Sequence, residues 1–170
     1  MPASMVLPGD VEQSLLAALT ANLTTLETTQ FPSGIFVGAI GDKDIDDDDQ
    51  LLLRMPCARQ RYVGSAYKNE GDNQWLTYDA SHIFEIWCAA EDLTSKEAQR
   101  TATTFVLGQV LPLIAGARLT LADTSLTEPV VIKNIAKLPD DIVGTIYIVT
   151  IEICGIAQFP GTLAAGSEDN

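Results

Sequence analysis

The run Thr145 to Cys154 constrains this chain more than any other segment. With period two, Tyr147, Val149, Ile151 and Ile153 form one apolar face, and Ile146, Ile148 and Cys154 form the other. A strand apolar on both faces predicts a central position in a sheet covered on both sides, with helices on at least one face. Two segments supply helices. Val11, Leu15, Leu19 and Leu23 recur every four residues, Leu16 and Leu26 widen the stripe, and Asp10 with Gln13 has the capping-box spacing. The pattern predicts an amphipathic helix over about residues 10–27, ended by the Phe31-Pro32-Ser33-Gly34 stretch. A second capping box, Thr94 to Glu97, precedes the stripe Ala98, Ala102, Phe105, Val106, Val110 and Leu113, with Leu93 placed to staple onto Ala98. That predicts a helix from about Ser95 to Leu111, weakened at Pro112 and stopped at Gly116.

The remaining segments read as extended. Ile35 to Ile40, Leu51 to Leu53 and Gln60 to Val63 are short candidates, and Ala117 to Leu121 and Val130 to Ile135 precede the closing strand. From Trp75 to Cys88 the alternation is plain: His82, Phe84, Ile86 and Cys88 are expected to face the core, with Ser81, Ile83, Glu85 and Trp87 opposite. The turn formers Lys68 to Asn73 join Tyr62 to Trp75 as a long hairpin whose tip projects into solvent. The expected fold class is α+β: a mostly antiparallel β-sheet packed by two amphipathic helices, with a long β-hairpin. One domain is expected over 1–160, and 161–170, small, polar and acidic, is expected to be a flexible tail.

Composition narrows the function classes. Lys and Arg number 10 against 23 Asp and Glu, a net charge of -13, which repels phosphate backbones and disfavours tight nucleic-acid binding. DNA would pass a channel lined by such a surface without adhering. Cys57, Cys88 and Cys154 form no C-x-x-C pair and only one His is present, so neither a disulfide framework nor a zinc site is written here. The chain has no run of about 18 apolar residues and no basic leader, so no membrane span is expected and the place of synthesis is read as cytosol.

Candidate chemistry is sparse. Asp42, Asp44 and Asp46 match the opening of an EF-hand loop, but Asp47 stands where Gly is needed and Leu53 where Glu is needed. The run Asp46, Asp47, Asp48, Asp49 reads first as a solvated, self-repelling loop; a weak divalent-cation or ligand site on Asp42–Asp49 is the functional alternative. Gly34, Gly38 and Gly41 fit no phosphate-loop spacing, so no cofactor is expected. His82 is expected to be a satisfied buried imidazole, with a general base as its rival. Cys57, near Arg54, Arg59 and Arg61, is expected to be a buried small hydrophobe, with a reactive thiolate as its rival. Arg59, Arg61, Tyr62, Tyr67, Lys68 and Trp75 put hot-spot residue types on one hairpin and form the candidate interaction surface.

This element order resembles that of the tail terminator proteins of long-tailed phages, the Mu-like branch above all. So do Met55-Pro56-Cys57-Ala58 leading into Tyr62-Val63-Gly64-Ser65, Leu113 to Leu119 after the second helix, and the closing Ile146 to Phe159 strand. The resemblance spans residues 8 to 160 as element order. It implies a ring of identical subunits, typically six, that sits on the last ring of the tail tube, halts its polymerisation and joins the tail to the head-tail connector proteins. The partners so implied are the chain itself, the tail tube protein and the connector, with DNA only in passage. The place implied is the virion tail, after assembly in the host cytoplasm. No catalytic residue is required, and the chain is expected not to be an enzyme. The Asp-rich insertion departs from the family pattern, which leaves its role open; beside the solvated-loop reading stand a DNA-repelling lumen and a partner loop. A head-completion or neck protein is the rival within the class; a metal- or ligand-binding module, or an enzyme using His82 or Cys57, is the rival outside it.

Overall fold

The first helix, α1, spans Pro8–Leu23 and begins two residues before the expected cap. Pro8 occupies the first turn, where its missing N–H would be unsatisfied anyway, and Leu7 is the N-cap with no side-chain bond. Asp10 is therefore not the cap but an acidic residue in the first turn, where it meets the positive end of the helix dipole. The stripe Val11, Leu15, Leu19 and Leu23 is buried as expected. The helix ends early because the chain folds back on it. Gly34 adopts φ +74° and Ile35 N–H donates to the Leu23 carbonyl at 3.1 Å, satisfying one of the orphan acceptors of the last turn.

The computed structural model describes residues 7–26, 31–41, 55–69, 75–91, 94–138 and 145–160. After α1 come β1 (Phe36–Ala39), β2 (Cys57–Asn69), β3 (Trp75–Ala89), α2 (Lys96–Ile114), β4 (Val131–Lys137) and β5 (Ile146–Pro160). They form one five-stranded sheet in the order β1-β2-β3-β5-β4. Every neighbouring pair is antiparallel except β1 with β2, which is parallel. The α+β class and the mostly antiparallel sheet are as the sequence predicts.

Both helices pack on one face. Their stripes meet Phe84, Ile86 and Cys88 of β3, and Val149, Ile151 and Ile153 of β5, in a single core. The alternation of β3 is as expected, since His82, Phe84, Ile86 and Cys88 are all buried and the intervening residues half-buried. β5 is interior as expected, paired with β3 on one side and β4 on the other, but its cover differs from the expectation. It lies second from the edge, and among the described residues no helix covers its other face. There Ile146 and Ile148 shelter with Cys57 and Ala89 against Phe36, Met55, Trp87 and Leu138, while Ile156 is 53% exposed. Apolarity on both faces thus reflects a small second cluster rather than a second helical layer.

Two more corrections follow from hydrogen bonding. Ala117 to Leu121 is no ladder strand: it runs back along 125–130 through single bonds, such as Thr127 N–H to Leu119 O at 3.0 Å, and buries Leu119 and Leu121. In α2 the N-cap is Ser95 rather than Thr94, its hydroxyl accepting from Ala98 N–H at 3.0 Å, and Pro112 is tolerated inside a helix that continues to Ile114. Leu51 to Leu53 and Leu93 lie outside the described residues.

Thr103 is a polar residue in the buried stripe of α2 that the apolar pattern passes over. Its hydroxyl accepts from Ala90 N–H at 3.2 Å and donates to the Thr145 carbonyl at 3.1 Å. It therefore joins the end of β3 to the approach to β5, satisfying backbone groups that would otherwise be buried unpaired. Thr103→Val keeps the shape and removes both bonds, and is expected to lower stability by about 1–3 kcal/mol. Denaturant unfolding checks this; an unchanged midpoint would mean that water replaces the hydroxyl.

Candidate interaction surface

The expected contact set lies largely on β2, and the register of that strand decides which members share a face. Tyr62 pairs with Phe84 and Gly64 with Ile83, so Val63 is an extra, bulged residue. A bulge reverses the alternation. Arg59, Arg61 and Lys68 consequently lie on the helix-free face, whereas Tyr62 and Tyr67 lie on the helix side. The set is divided between two faces rather than gathered on one. Trp75 opens β3, and its side chain falls outside the described residues, as do Asp46, Asp47, Asp48 and Asp49.

Arg59 is not a surface residue. It is 6% exposed, its Nη2 donates to the Ala39 carbonyl, and its guanidinium stacks 5.2 Å from the centre of the Phe36 ring. Parallel pairing with β1 folds that strand alongside Arg59 and turns it into an internal tie. Cys57, two residues earlier on the same face, is buried too. Desolvation pushes its thiol up to about 11, outweighing the pull of Arg59 in the other direction. Burial likewise raises Cys88, and the reactive-thiolate rival loses its electrostatic basis.

His82 is fully buried and its Nδ1 lies 2.5 Å from Ser65 Oγ, which in turn lies 2.7 Å from Tyr62 Oη. Tyr67 closes over this group edge-on, 5.9 Å from the imidazole and 6.5 Å from Tyr78. The imidazole is thus hydrogen-bonded inside the sheet, as the sequence predicts. Gln60, also fully buried, donates from Nε2 to the Glu12 carbonyl at 2.9 Å and fastens β2 to α1.

The helix-free face carries a polar row. Glu85 accepts from Trp87 Nε1 at 3.0 Å and lies 3.9 Å from Arg61, while Glu152 accepts from Ser81 at 2.6 Å and from Lys133 Nζ at 2.8 Å. The hydrogen bond from Lys133, with that from Ser81, lowers the Glu152 carboxyl below its ordinary range. Its contribution is therefore present above the ordinary carboxylate pKa and lost as pH falls through the lowered one; being solvent-screened, it is small. Among the described residues no group of three or more His, Cys, Asp or Glu is placed to hold a metal, and no helix is long and apolar enough to cross a membrane.

Two flanks of the sheet stand out. β1 accompanies β2 only from Cys57 to Gln60, so from Arg61 onward no described strand pairs with β2 on that side. Arg61, Tyr62, Val63, Ala66, Tyr67 and Lys68 are all exposed there, Val63 by 53%. At the far side β4 is the edge, with Val131 and Ile135 exposed, and β5 beyond Glu152 extends past it. The hairpin is more than a two-stranded arm, because β5 backs β3 along its whole length, from Ala89 with Ile146 to Trp75 with Pro160.

Charge is partitioned as well. The described residues hold eight Lys and Arg and nine Asp and Glu, a net of −1; the other segments hold two and fourteen, a net of −12. The sheet and helices form a nearly neutral body, and the acidity of the sequence belongs to the segments between and beyond them.

No known family model matches this sequence, and no curated protein matches it. A solved structure does. The chain shares its fold with a chain in the virion of a native gene transfer agent (GTA) particle. The likeness has a TM-score of 0.53 at 8% sequence identity, and covers 90% of this chain and 98% of that one.

Proposed function

We propose that this protein is a structural component of a phage-like particle, and within that class a tail terminator. In this reading it is no enzyme: it forms a homo-oligomeric ring, typically of six copies, on the end of the tail tube, stops tube growth and joins the tail to the head connector. The observation that carries the reading is the fold shared with nearly the whole length of a chain from a virion-like particle. The resemblance in element order to tail terminators narrows it. Two exposed and different flanks on one sheet are what a closed ring of identical subunits requires, since a head-to-tail contact joins unlike surfaces. The near-neutral body supports the reading too, because copies that carry little net charge there can meet without strong mutual repulsion.

Light scattering and negative-stain microscopy of the purified chain, alone and mixed with tubes of its cognate tail tube protein, test the reading. The expected result is a ring, or a cap at one end of each tube and an arrest of tube growth. Binding to the head connector with no effect on tubes would favour a head-completion or neck protein instead. A monomer that ignores both would overturn the structural reading.

A further inference from the structure

We propose that copies of this chain join through their sheets, the outer half of β2 in one copy taking β4 of the next copy as an additional antiparallel strand. This rests on the ring reading and specifies the contact within it.

Strand direction argues for the pairing. β2, β3, β5 and β4 are successively antiparallel, so β4 runs opposite to β2 within each copy. A neighbour that keeps the same strand direction therefore presents its β4 antiparallel to β2, the more stable kind of ladder. Length agrees. β4 has seven residues, and β2 beyond its pairing with β1 runs from Arg61 to Asn69. Both edges carry exposed apolar side chains, Val63 on one and Val131 and Ile135 on the other. Unpaired edges with such side chains are templates for another strand unless something covers them.

Charge adds a direction. Antiparallel alignment sets the start of β4 beside the end of β2, so the exposed Glu128, just before β4, approaches the exposed Lys68 of the neighbour. Arg61, at the other end of the open stretch, lies 3.9 Å from Glu85, and its side chain is 57% exposed. The contact lies on the nearly neutral body, where a chain of net −13 can meet its own copy with least repulsion. Because β1 occupies the edge beside Cys57 to Gln60, the incoming β4 sits towards Asn69, and successive copies are staggered along the strands. Stagger with strand tilt is the geometry by which sheets close on themselves.

The test uses the full chain in a Cys154→Ser background, with Val63→Cys and Ile135→Cys joined by a short bis-maleimide. Assembly is recorded by light scattering before the reagent is added. A ladder of covalent multimers from the double variant, and none from either single variant, is expected. Dimers from Val63→Cys alone would reveal a two-fold contact and overturn the proposal. Intact rings with no ladder would overturn it while leaving the ring reading in place; absence of any assembly by the unmodified chain, alone or on tubes, removes both. Independently, Lys68→Glu is expected to raise the concentration for half-assembly about ten-fold or more, and adding Glu128→Lys to restore it. An unchanged concentration with Lys68→Glu, or no recovery when Glu128→Lys is added to it, would overturn the strand alignment.

Discussion

Phe84→Ala is expected to lower stability by about 3–5 kcal/mol, the range for an aromatic ring removed from a well-packed core. Phe84 is fully buried at the middle of β3, with Tyr62 of β2 opposite on one side and Ile151 of β5 on the other. Its ring lies 5.5 Å from that of Tyr62, tilted by 59°, a geometry that adds a favourable aromatic term to simple burial. Removing it opens a cavity in the core under the middle of three paired strands, and rigid ladders on each side limit collapse into the gap. The thermal midpoint is expected to fall by about 10 °C. A calorimetric shift below a few degrees would show that the core closes over the site. Tyr62→Phe serves as the partner measurement: it keeps the ring pair and removes only the hydroxyl bond to Ser65, so its effect should be much smaller.

Gly34→Ala is the second large effect, at about 2–4 kcal/mol, and comes from two causes that a control can separate. At φ +74° any L side chain is strained, and a methyl group there would meet the Thr24 carbonyl oxygen at 2.3 Å. That oxygen is backbone at the end of α1, so relief requires moving the helix. Gly116 has nearly the same φ, +70°, but a methyl group there meets nothing within 4 Å. Gly116→Ala should therefore cost only the conformational part, about 1–2 kcal/mol. Equal losses in the two variants, measured by denaturant unfolding, would show that the turn after α1 gives way.

The features legible in the sequence were those with a local period. The four-residue stripe of α1 and the alternation of His82, Phe84, Ile86 and Cys88 report directly on which side of an element meets the core. His82 as a satisfied buried imidazole was legible from its place in that alternation. What stayed hidden depends on partners distant in sequence. Arg59 looks like a surface cation until β1, twenty residues earlier, lies parallel beside it and supplies the Ala39 carbonyl. Thr103 breaks an apolar stripe, and only the arrival of residues 90 and 145 explains why a hydroxyl is needed there. Ala117 to Leu121 alternates like a strand because alternate side chains are buried, yet its bonds go to a nearby turn. The division of the contact set between two faces follows from one bulged residue, Val63, which no propensity reveals.

β3 and β5 each run for 15 residues and are in register from end to end. At the usual rise per residue that is about 50 Å of continuous ladder, of which the helices brace only part. Mechanically the pair acts as a girder anchored in the core and cantilevered beyond it. A pull along the strands loads every cross-strand bond in shear at once, whereas a pull across them would peel the bonds one at a time. Whatever grips the outer end therefore engages the whole domain and has no hinge at which to yield.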